Sequence, residues 1–396
     1  MELDDLLRRA VDAGASDVHL KVDRPPMVRL DGDVVPLEGM APMTAEDLDA
    51  CLRAVTVIAP QRYDAYHETG DLDIAYTGEG LPRFRVNAFR QRGATSFALR
   101  VIPKEVPRFE DLGLPGGIQK LSEEHRGLVL VTGATGSGKT TTLAAMIDYI
   151  NRSRPSHIVT IEDPIEILHP DHRSIVNQRE IGLDSESFGQ ALRRALRQDP
   201  DTILIGELRD AETAQTALQA AESGHLVFST LHTVDAAETV GRMIEYFPEG
   251  KQAQIRSIMA GVLRGVISQR LLPRVGGGRV AAVEVMVMNA RIADLIRENK
   301  PEEIGDAIAE GEFFQMQTFQ KALIDHVLAG TVDRETAANA STNKHDFMVA
   351  LEYAEKAHSA GIDPSAPAAA AVAPVEEEPE PEPEPEFTLR LAPLGD

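Results

Sequence analysis

The sequence has very little cysteine and no long apolar run. Cys51 is the single cysteine among 396 residues, which excludes an intramolecular disulfide and every zinc motif built from several cysteines. No apolar run reaches the roughly 20 residues of a membrane-spanning helix. The acidic, amphipathic start MELDDLLRRAVDAG has no apolar segment like that of a secretory signal. We therefore expect a protein of the reducing cytoplasm that does not insert into a membrane, with docking on a membrane component left open.

Positive charge and aromatic residues are also scarce. The chain carries 63 acidic and 40 basic residues, a net charge of -23, and 5% of its residues are aromatic. This balance argues against a surface that coats nucleic acid, because phosphate binding relies on clustered Lys and Arg. A local basic groove stays open, but the sequence shows no cluster of stacking aromatic residues within one. We expect no nucleic-acid partner.

What is present is the composition of a folded protein with two or three domains. Residues 1–105 predict a small mixed domain with alternating strands at DVHLKV, RFRVNAF and TSFALRVI. Asp31 and Gly32 predict a tight hairpin, and Thr44 and Asp47 stand in the capping-box spacing that opens a helix. A turn-rich connector at residues 106–116 follows.

Residues 117–290 alternate short apolar runs with helical stretches. The runs GLVLVTG, HIVTIED, DTILIGE and HLVFSTLH are apolar on both faces, as strands of a covered parallel sheet should be. This alternation predicts a doubly wound α/β domain. Residues 291–358 are predicted to be mostly helical. The Pro-, Ala- and Glu-rich residues 359–396 are predicted to form a disordered tail, because this composition cannot bury a core.

The stretch GATGSGKT matches the phosphate-binding loop pattern and stands between an apolar strand and a helix. Its glycines allow backbone N–H groups to turn towards phosphate oxygens, and the helix N-terminus adds its positive dipole end. Lys139 supplies a charge to the β- and γ-phosphates, and Thr140 a hydroxyl for Mg²⁺. We predict that ATP is bound by Gly133, Thr135, Gly136, Ser137, Gly138, Lys139, Thr140 and Thr141.

Carboxylates and a histidine follow the ends of the other apolar runs. Glu162, Asp163 and Glu166 crowd beyond one strand, and Glu207 ends another, where it is placed to orient the water shell of Mg²⁺. Each feature alone has a plain alternative, an acidic surface loop or a solvated strand end. Because the carboxyl ends of parallel strands line one crevice, we expect these groups and His232 to meet there.

Two further motifs are interpreted as coincidences. NKHD, at residues 343–346, has the form of the guanine-reading element of GTPases but follows a helical or loop stretch rather than a buried strand, so ATP is favoured over GTP. His169 and His172 form H-x-x-H without a partner cysteine or the helical context of zinc proteases, so no zinc site is expected.

The order GATGSGKTTTLAAMIDYIN, TIEDPIE, DPDTILIGELRD and GHLVFSTLHT resembles the type II/IV secretion ATPase superfamily, with its Walker A, Asp box, Walker B and His box. Within it, SDVHL, RFRVNAF, VNQREIG and ARIADLIRE resemble the type IV pilus retraction ATPase (PilT, twitching-motility) family. The likeness covers about residues 1–350. FFQMQT stands where the family pattern has GMQT, and the acidic tail lies outside the pattern.

The resemblance implies a PAS-like N-terminal domain, a RecA-like ATPase domain and a homohexameric ring. It implies that Glu166 is the general base, that Glu207 acts through Mg²⁺, and that His225 and His232 sense or orient the γ-phosphate. It also implies that Arg85 and Arg100 of the N-terminal domain reach the nucleotide and neutralise phosphate charge. From the residues alone, His232 is expected at the crevice end of its strand, whereas His225 lies at the opposite end and should face away from the γ-phosphate, so that any contribution of His225 would come from a subunit or domain interface. The plain alternative for both is a histidine hydrogen-bonded at the edge of a core.

The leading hypothesis is a cytoplasmic hexameric ATPase that drives pilus retraction at an inner-membrane platform protein, peripherally associated with the membrane. Other pilus ATPases are further candidate partners. The alternatives are a pilus-extension or type II secretion ATPase, a regulatory subunit that rides on another motor, and, on weak grounds, a nucleic-acid translocase. The lack of a tetracysteine zinc element speaks against the secretion and extension relatives, many of which carry one, without excluding them.

Overall fold

The computed structural model describes residues 2–30, 32–102 and 106–359. The chain divides into a compact unit that ends at Met348 and a second unit that begins at Val349. Asp31 of the predicted hairpin and all of the predicted tail except Ser359 lie outside the described residues. No helix in the described ranges is both long and apolar enough to cross a bilayer.

The N-terminal part carries an antiparallel sheet of six strands in the order β3-β2-β1-β6-β5-β4. Its strands are β1 (Asp17–Lys21), β2 (Met27–Leu30), β3 (Asp33–Pro36), β4 (Asp71–Thr77), β5 (Arg83–Gln91) and β6 (Ala94–Ile102). Its helices are α1 (Leu3–Asp12), α2 (Ala45–Val55) and α3 (Gln61–Thr69).

The alternation of apolar and polar residues along each strand decides which face of this sheet is covered. On β5, Phe84, Val86 and Ala88 are buried in a core shared with α1 and α2, while Arg83 and Arg85 point to the opposite face. The capping box predicted at the start of α2 is present: the Thr44 hydroxyl accepts from the Asp47 backbone N–H, and the Asp47 carboxylate accepts from the Thr44 N–H. The sheet therefore presents a polar, arginine-bearing face away from its own core.

The second sheet has seven strands in the order β13-β12-β7-β11-β10-β8-β9, parallel except for the antiparallel β12–β13 pair. Its strands are β7 (Gly127–Thr132), β8 (His157–Glu162), β9 (Ile175–Glu180), β10 (Thr202–Ile205), β11 (Leu226–Leu231), β12 (Leu263–Pro273) and β13 (Arg279–Val287). The four predicted apolar runs are β7, β8, β10 and β11, at the centre of this sheet.

Helices cover both faces of the second sheet, as a doubly wound arrangement requires. Before and within it lie α4 (Phe109–Leu112), α5 (Gly116–Ser122), α6 (Lys139–Ser153), α7 (Phe188–Ala195), α8 (Ala211–Glu222), α9 (Ala236–Glu245) and α10 (Glu249–Val262). The predicted stripe of α6, Leu143, Met146, Ile147 and Ile150, is buried in the core. The predicted connector holds the short α4 and the first residue of α5.

The C-terminal part of the described chain is helical. It contains α11 (Ala290–Glu298), α12 (Ile304–Ala309), α13 (Phe319–Leu328), α14 (Arg334–Ala340) and α15 (Lys344–Ser359), with short 3-10 turns at Pro301–Glu303 and Glu312–Phe314. A sheet-rich N-terminal part, a largely parallel α/β sheet and a helical C-terminal part together confirm the predicted fold class.

Candidate active site

A cavity of about 520 Å³ lies at the carboxyl ends of the central parallel strands. The phosphate loop follows β7, the acidic loop follows β8, Glu207 follows β10 and His232 follows β11. The open-sheet geometry predicted this convergence. The predicted site residues that line the cavity are Arg85, Arg100, Thr135, Gly136, Ser137, Gly138, Lys139, Thr140, Thr141, Glu162, Asp163, Glu166, Glu207 and His232.

The phosphate loop has a backbone that only glycines adopt easily. Gly133 has φ 138° and Gly138 has φ 96°, and an added Cβ at Gly133 would collide with the carbonyl oxygen of Gln269. Gly138 is the N-cap of α6 and provides no side-chain cap, so the first N–H groups of that helix stay available to a ligand. The Ser137 hydroxyl is buried without a hydrogen-bond partner. These features fit an anionic group bound at the N-terminus of α6.

Lys139 lies folded back onto the loop. Its ammonium donates to the carbonyl oxygens of Gly133, at 2.6 Å, and of Ala134, at 3.0 Å. Burial lowers the pKa of Lys139, and the negative charges of Glu207 and Glu166 oppose that shift. The amine therefore faces two cavity carboxylates while two backbone oxygens hold it close to the loop.

Glu207 is the centre of a small ion-pair cluster. Arg209 donates to one carboxylate oxygen of Glu207, with Nε at 2.5 Å and a second guanidinium nitrogen also in contact. The Nε2 atom of His232 lies 3.4 Å from the other oxygen. Burial favours the neutral form of Glu207, but the hydrogen bond and charge of Arg209, helped by His232, outweigh it and lower the pKa of the carboxyl. Glu207 is thus ionised and held by two basic groups.

The two glutamates of the acidic loop differ in their surroundings. Glu162 accepts from the Thr160 hydroxyl at 2.6 Å and from the Gln178 amide at 3.1 Å, and burial raises its pKa. Glu166 is half exposed at the cavity, and one of its carboxylate oxygens lies 3.9 Å from a guanidinium nitrogen of Arg85. Glu166 is therefore the more accessible of these two carboxylates.

Two arginines reach the cavity from the N-terminal sheet. Arg85 on β5 and Arg100 on β6 are directly opposite partners in the strand pairing. Like charges facing each other across a sheet are destabilising. Asp17 relieves part of this cost, because its carboxylate accepts from Arg100 Nε at 2.9 Å. A pair of adjacent guanidinium groups at a cavity is suited to an anionic ligand.

Contacts between the two sheets hold these arginines in place. Arg83, on the same face of β5 as Arg85, pairs with Glu180 of β9, whose side chain is 4% exposed. The same Glu180 oxygen accepts from the Ile165 N–H at 3.2 Å in the acidic loop. Arg62 donates to the carbonyl oxygens of Asp73 and Gly182, both at 2.5 Å. The N-terminal sheet is therefore tied to the segment that carries Glu166.

The structure separates His225 from His232. His232 lines the cavity, whereas His225 precedes β11 at the opposite end of that strand and is not a lining residue. The Nδ1 atom of His225 lies 3.0 Å from the Ala220 carbonyl oxygen, in the last turn of α8. The His225 side chain is thus placed to hydrogen-bond a backbone carbonyl group at the C-terminal end of a helix. His225 therefore does not reach the nucleotide site of its own chain, and its role at the γ-phosphate stays a prediction.

Sequence reasoning missed several cavity residues. Phe188 of α7 lines the cavity, and its ring lies beneath the guanidinium of Arg209, which contacts Glu207 without lining the cavity. Leu271 and Arg279 come from the β12–β13 hairpin, which was not predicted. His169, interpreted as part of a chance motif, lines the cavity, and burial lowers its pKa to about 4. Proximity to the phosphate loop in the folded chain identifies these residues.

The other motif interpreted as a coincidence has a structural explanation. Asn343 precedes α15, and its side-chain oxygen accepts from the N–H groups of His345 and Asp346. NKHD is thus a helix N-terminus, where Asn is favoured, and it does not follow a buried strand.

The cavity contains oxygen donors that suit Mg²⁺. Thr140 contributes a hydroxyl and Glu207 a carboxylate to the same cavity, and hard divalent cations prefer such ligands. Among the described residues, no group of three or more His, Cys, Asp and Glu is arranged to hold a metal ion. The donor set fits an ion that takes most of its ligands from water and phosphate.

Fold and site together define a phosphate-loop nucleotide-binding protein. The sequence matches the family described as type II/IV secretion system protein over residues 2–276. It is 44% identical over 347 residues to the type IV pilus retraction ATPase PilT of Pseudomonas aeruginosa, covering 88% of this chain and 100% of that protein. The chain therefore belongs to the type II/IV secretion system protein family, and the predicted resemblance is confirmed.

Two further comparisons agree with this assignment. The twitching motility protein of Neisseria gonorrhoeae is 44% identical over 81% of this chain and 86% of its own length. A crystal structure of the pilus retraction motor PilT with bound ADP matches with a TM-score of 0.81 at 44% identity, covering 87% of this chain and 98% of that one. The likeness thus extends over both sheets described above.

Proposed function

We propose that this chain is a Mg²⁺-dependent ATPase motor that drives type IV pilus retraction. The observation that carries the chemistry is the meeting, in one cavity, of a phosphate loop, four carboxylates, His232 and two arginines from the N-terminal sheet. The mechanical role is supported by the relatives, which include a pilus retraction ATPase and a twitching motility protein. The match with a retraction motor solved with ADP supports nucleotide binding.

In this proposal the phosphate loop binds the β- and γ-phosphates of ATP. The N–H groups at the start of α6 and the Ser137 hydroxyl donate to phosphate oxygens, and Lys139 exchanges its two backbone carbonyl partners for phosphate. Thr140 and Glu207 would hold Mg²⁺, which would neutralise phosphate charge. The loop and the first turn of α6 thus orient the nucleotide against the acidic loop.

Glu166 acts as the general base that takes a proton from the attacking water. It is the half-exposed carboxylate of the acidic loop, free enough to approach a water molecule in the cavity. Arg85 and Arg100 neutralise the charge that develops on the transferring phosphoryl group, as arginine fingers do in other nucleotide hydrolases. His232, beside Glu207, orients the same end of the nucleotide.

The biological setting follows from the relatives and is part of the same proposal. The chain forms a homohexamer in the cytoplasm, acts at the inner face of the cell membrane on a pilus platform protein, and shares that platform with other pilus ATPases. A deletion strain tests the direction of force. Abundant surface pili that do not retract are expected, whereas complete loss of pili would assign the chain to extension instead.

Two substitutions test the site in the purified protein. Lys139→Ala removes the charge that faces the phosphates, and Glu207→Ala removes the carboxylate that faces Mg²⁺. Each is expected to lower ATP turnover by at least about 100-fold, the scale of losing one electrostatic contact to the transition state. Lys120→Ala, an exposed lysine away from the cavity, is the matched control. Parent-like turnover in either variant would refute the site, and weak turnover of the parent chain without a partner would favour a regulatory subunit.

A further inference from the structure

Arg209 contacts the carboxylates of Glu207 and Asp163, and the function proposed above gives it no role. It follows Glu207 by two positions and grips one oxygen of that carboxylate through two guanidinium nitrogens. A third nitrogen lies 3.7 Å from a carboxylate oxygen of Asp163 in the acidic loop. The ring of Phe188, with its centroid 5.9 Å away, supports the guanidinium from α7. Arg209 therefore links the β10 end to the acidic loop.

Glu207 has little capacity left for another ligand in this arrangement. Its side chain is 21% exposed, one oxygen is occupied by Arg209, and the other lies beside His232. A divalent cation and a guanidinium group compete for the same carboxylate, because both are positively charged and both bind to the lone pairs of the carboxylate oxygens. Arg209 is half exposed and has a second carboxylate, Asp163, within reach. It can therefore leave Glu207 without being left unpaired.

We propose that Arg209 is a positioning residue that competes with Mg²⁺ for Glu207, so that Glu207 is withheld until a nucleotide-bound cation displaces the guanidinium towards Asp163. This rests on the proposed function, since it requires that Glu207 serves a bound Mg²⁺. In this role Arg209 opposes metal binding and is not a ligand of the nucleotide. Removing its charge strengthens Mg²⁺ binding.

The experiment measures binding rather than turnover. ADP bearing a fluorescent ribose label is titrated into the full chain, first in EDTA without free Mg²⁺ and then at increasing concentrations of free Mg²⁺. The measured quantity is the Mg²⁺ concentration that gives half of the metal-dependent gain in affinity for ADP. In Arg209→Gln we expect this concentration to fall by about threefold. The corresponding change in binding free energy lies within the range found for partly exposed ion pairs. Arg209→Lys, which keeps the charge, is expected to stay closer to the parent.

A double-mutant cycle shows whether Arg209 acts through Glu207. In a Glu207→Gln background, Arg209→Gln is expected to leave the half-effective Mg²⁺ concentration unchanged. Arg193→Gln is the matched control, because it removes the same charge from an exposed pair with Glu212, neither of whose members lines the nucleotide cavity. Circular dichroism of each variant checks that the fold is intact.

The outcomes are distinct. An unchanged or higher Mg²⁺ requirement in Arg209→Gln would overturn the proposal, as would a threefold fall that persists in the Glu207→Gln background or appears equally in Arg193→Gln. If the parent chain does not bind labelled ADP in the presence of Mg²⁺, the proposed function itself is wrong and the role of Arg209 falls with it. A fall seen only with Glu207 intact supports it.

Discussion

Replacing Glu284 with Gln should remove a pH-dependent penalty on the stability of the folded chain. Glu284 lies on β13 with 8% of its surface exposed. Its carboxylate accepts from the N–H of Ala236, the first residue of α9, at 2.9 Å. Burial raises the pKa of Glu284 from 4.5 to about 7, and Asp235 adds to the shift, while the Ala236 N–H and the charge of Arg270 oppose it. Desolvation of the charge dominates.

The sign follows from where the proton is held. Between about pH 4.5 and 7 the folded chain keeps the Glu284 proton and the unfolded chain has released it. The folded state therefore binds more protons in this window, so the free energy of unfolding falls as the pH rises, by about 1.4 kcal/mol per unit, and is level above pH 7. Between about pH 5 and pH 8 the parent loses about 2 to 3 kcal/mol from this one group.

Urea denaturation followed by circular dichroism, at pH 5 and at pH 8, measures this loss. Glu284→Gln keeps the side-chain shape and an acceptor oxygen, and we expect it to be more stable relative to the parent at pH 8 than at pH 5 by about 2 to 3 kcal/mol. Comparing the two proteins at each pH cancels other groups, including His169, whose lowered pKa gives an opposite slope on the acid side. Glu222→Gln, an exposed glutamate, is the control. A parallel pH dependence in Glu284→Gln and the parent would refute the reasoning.

Two further predictions concern the N-terminal sheet. Arg83→Ala leaves Glu180 buried without a charged partner and is expected to destabilise the junction between the sheets by about 3 kcal/mol. Arg83→Ala combined with Glu180→Ala is expected to cost less, because no buried charge is left behind. Hydrogen exchange of β5 and β9 measures both variants, and equal losses of stability would contradict the pairing. Thr44→Ala removes half of the capping box of α2 and should cost about 1 kcal/mol in urea denaturation, while Thr44→Ser stays close to the parent; an equal effect of both would exclude the cap as the cause.

The sequence predicted the centre of the second sheet because its strands are buried on both faces. β7, β10 and β11 are buried at every position, and such continuous apolar runs stand out from amphipathic helices. β9 was missed because it is an edge strand with polar residues and partial exposure along IVNQRE. The β12–β13 hairpin was missed because β12 interrupts its apolar residues with Arg264, Gln269 and Arg270, and such a mixed stretch shows neither a clear strand period nor a clear helix period.

The candidate site was predictable where chemistry is local. The phosphate loop carries its own geometry in its glycines, and the strand ends that bear Glu166, Glu207 and His232 follow directly from the strand assignments. Contacts between distant segments were not predictable. The link from Arg83 to Glu180 spans 97 positions, and the approach of His169 to the cavity depends on how the loop after β8 folds back. No periodicity in the sequence encodes either contact.

The positive charge around the cavity comes from two different sheets, and we propose that this couples hydrolysis to movement. Lys139 belongs to the sheet that carries the phosphate loop, whereas Arg85 and Arg100 belong to the N-terminal sheet, where they face each other at a cost in stability. We propose that this cost falls when an anion lies between them and the loop, so that a bound triphosphate draws the two sheets together. In this proposal, loss of the γ-phosphate weakens the attraction between the arginines and the nucleotide. A displacement of the N-terminal sheet would then withdraw two positive charges at once, and the nucleotide state and the relative position of the two sheets would depend on each other.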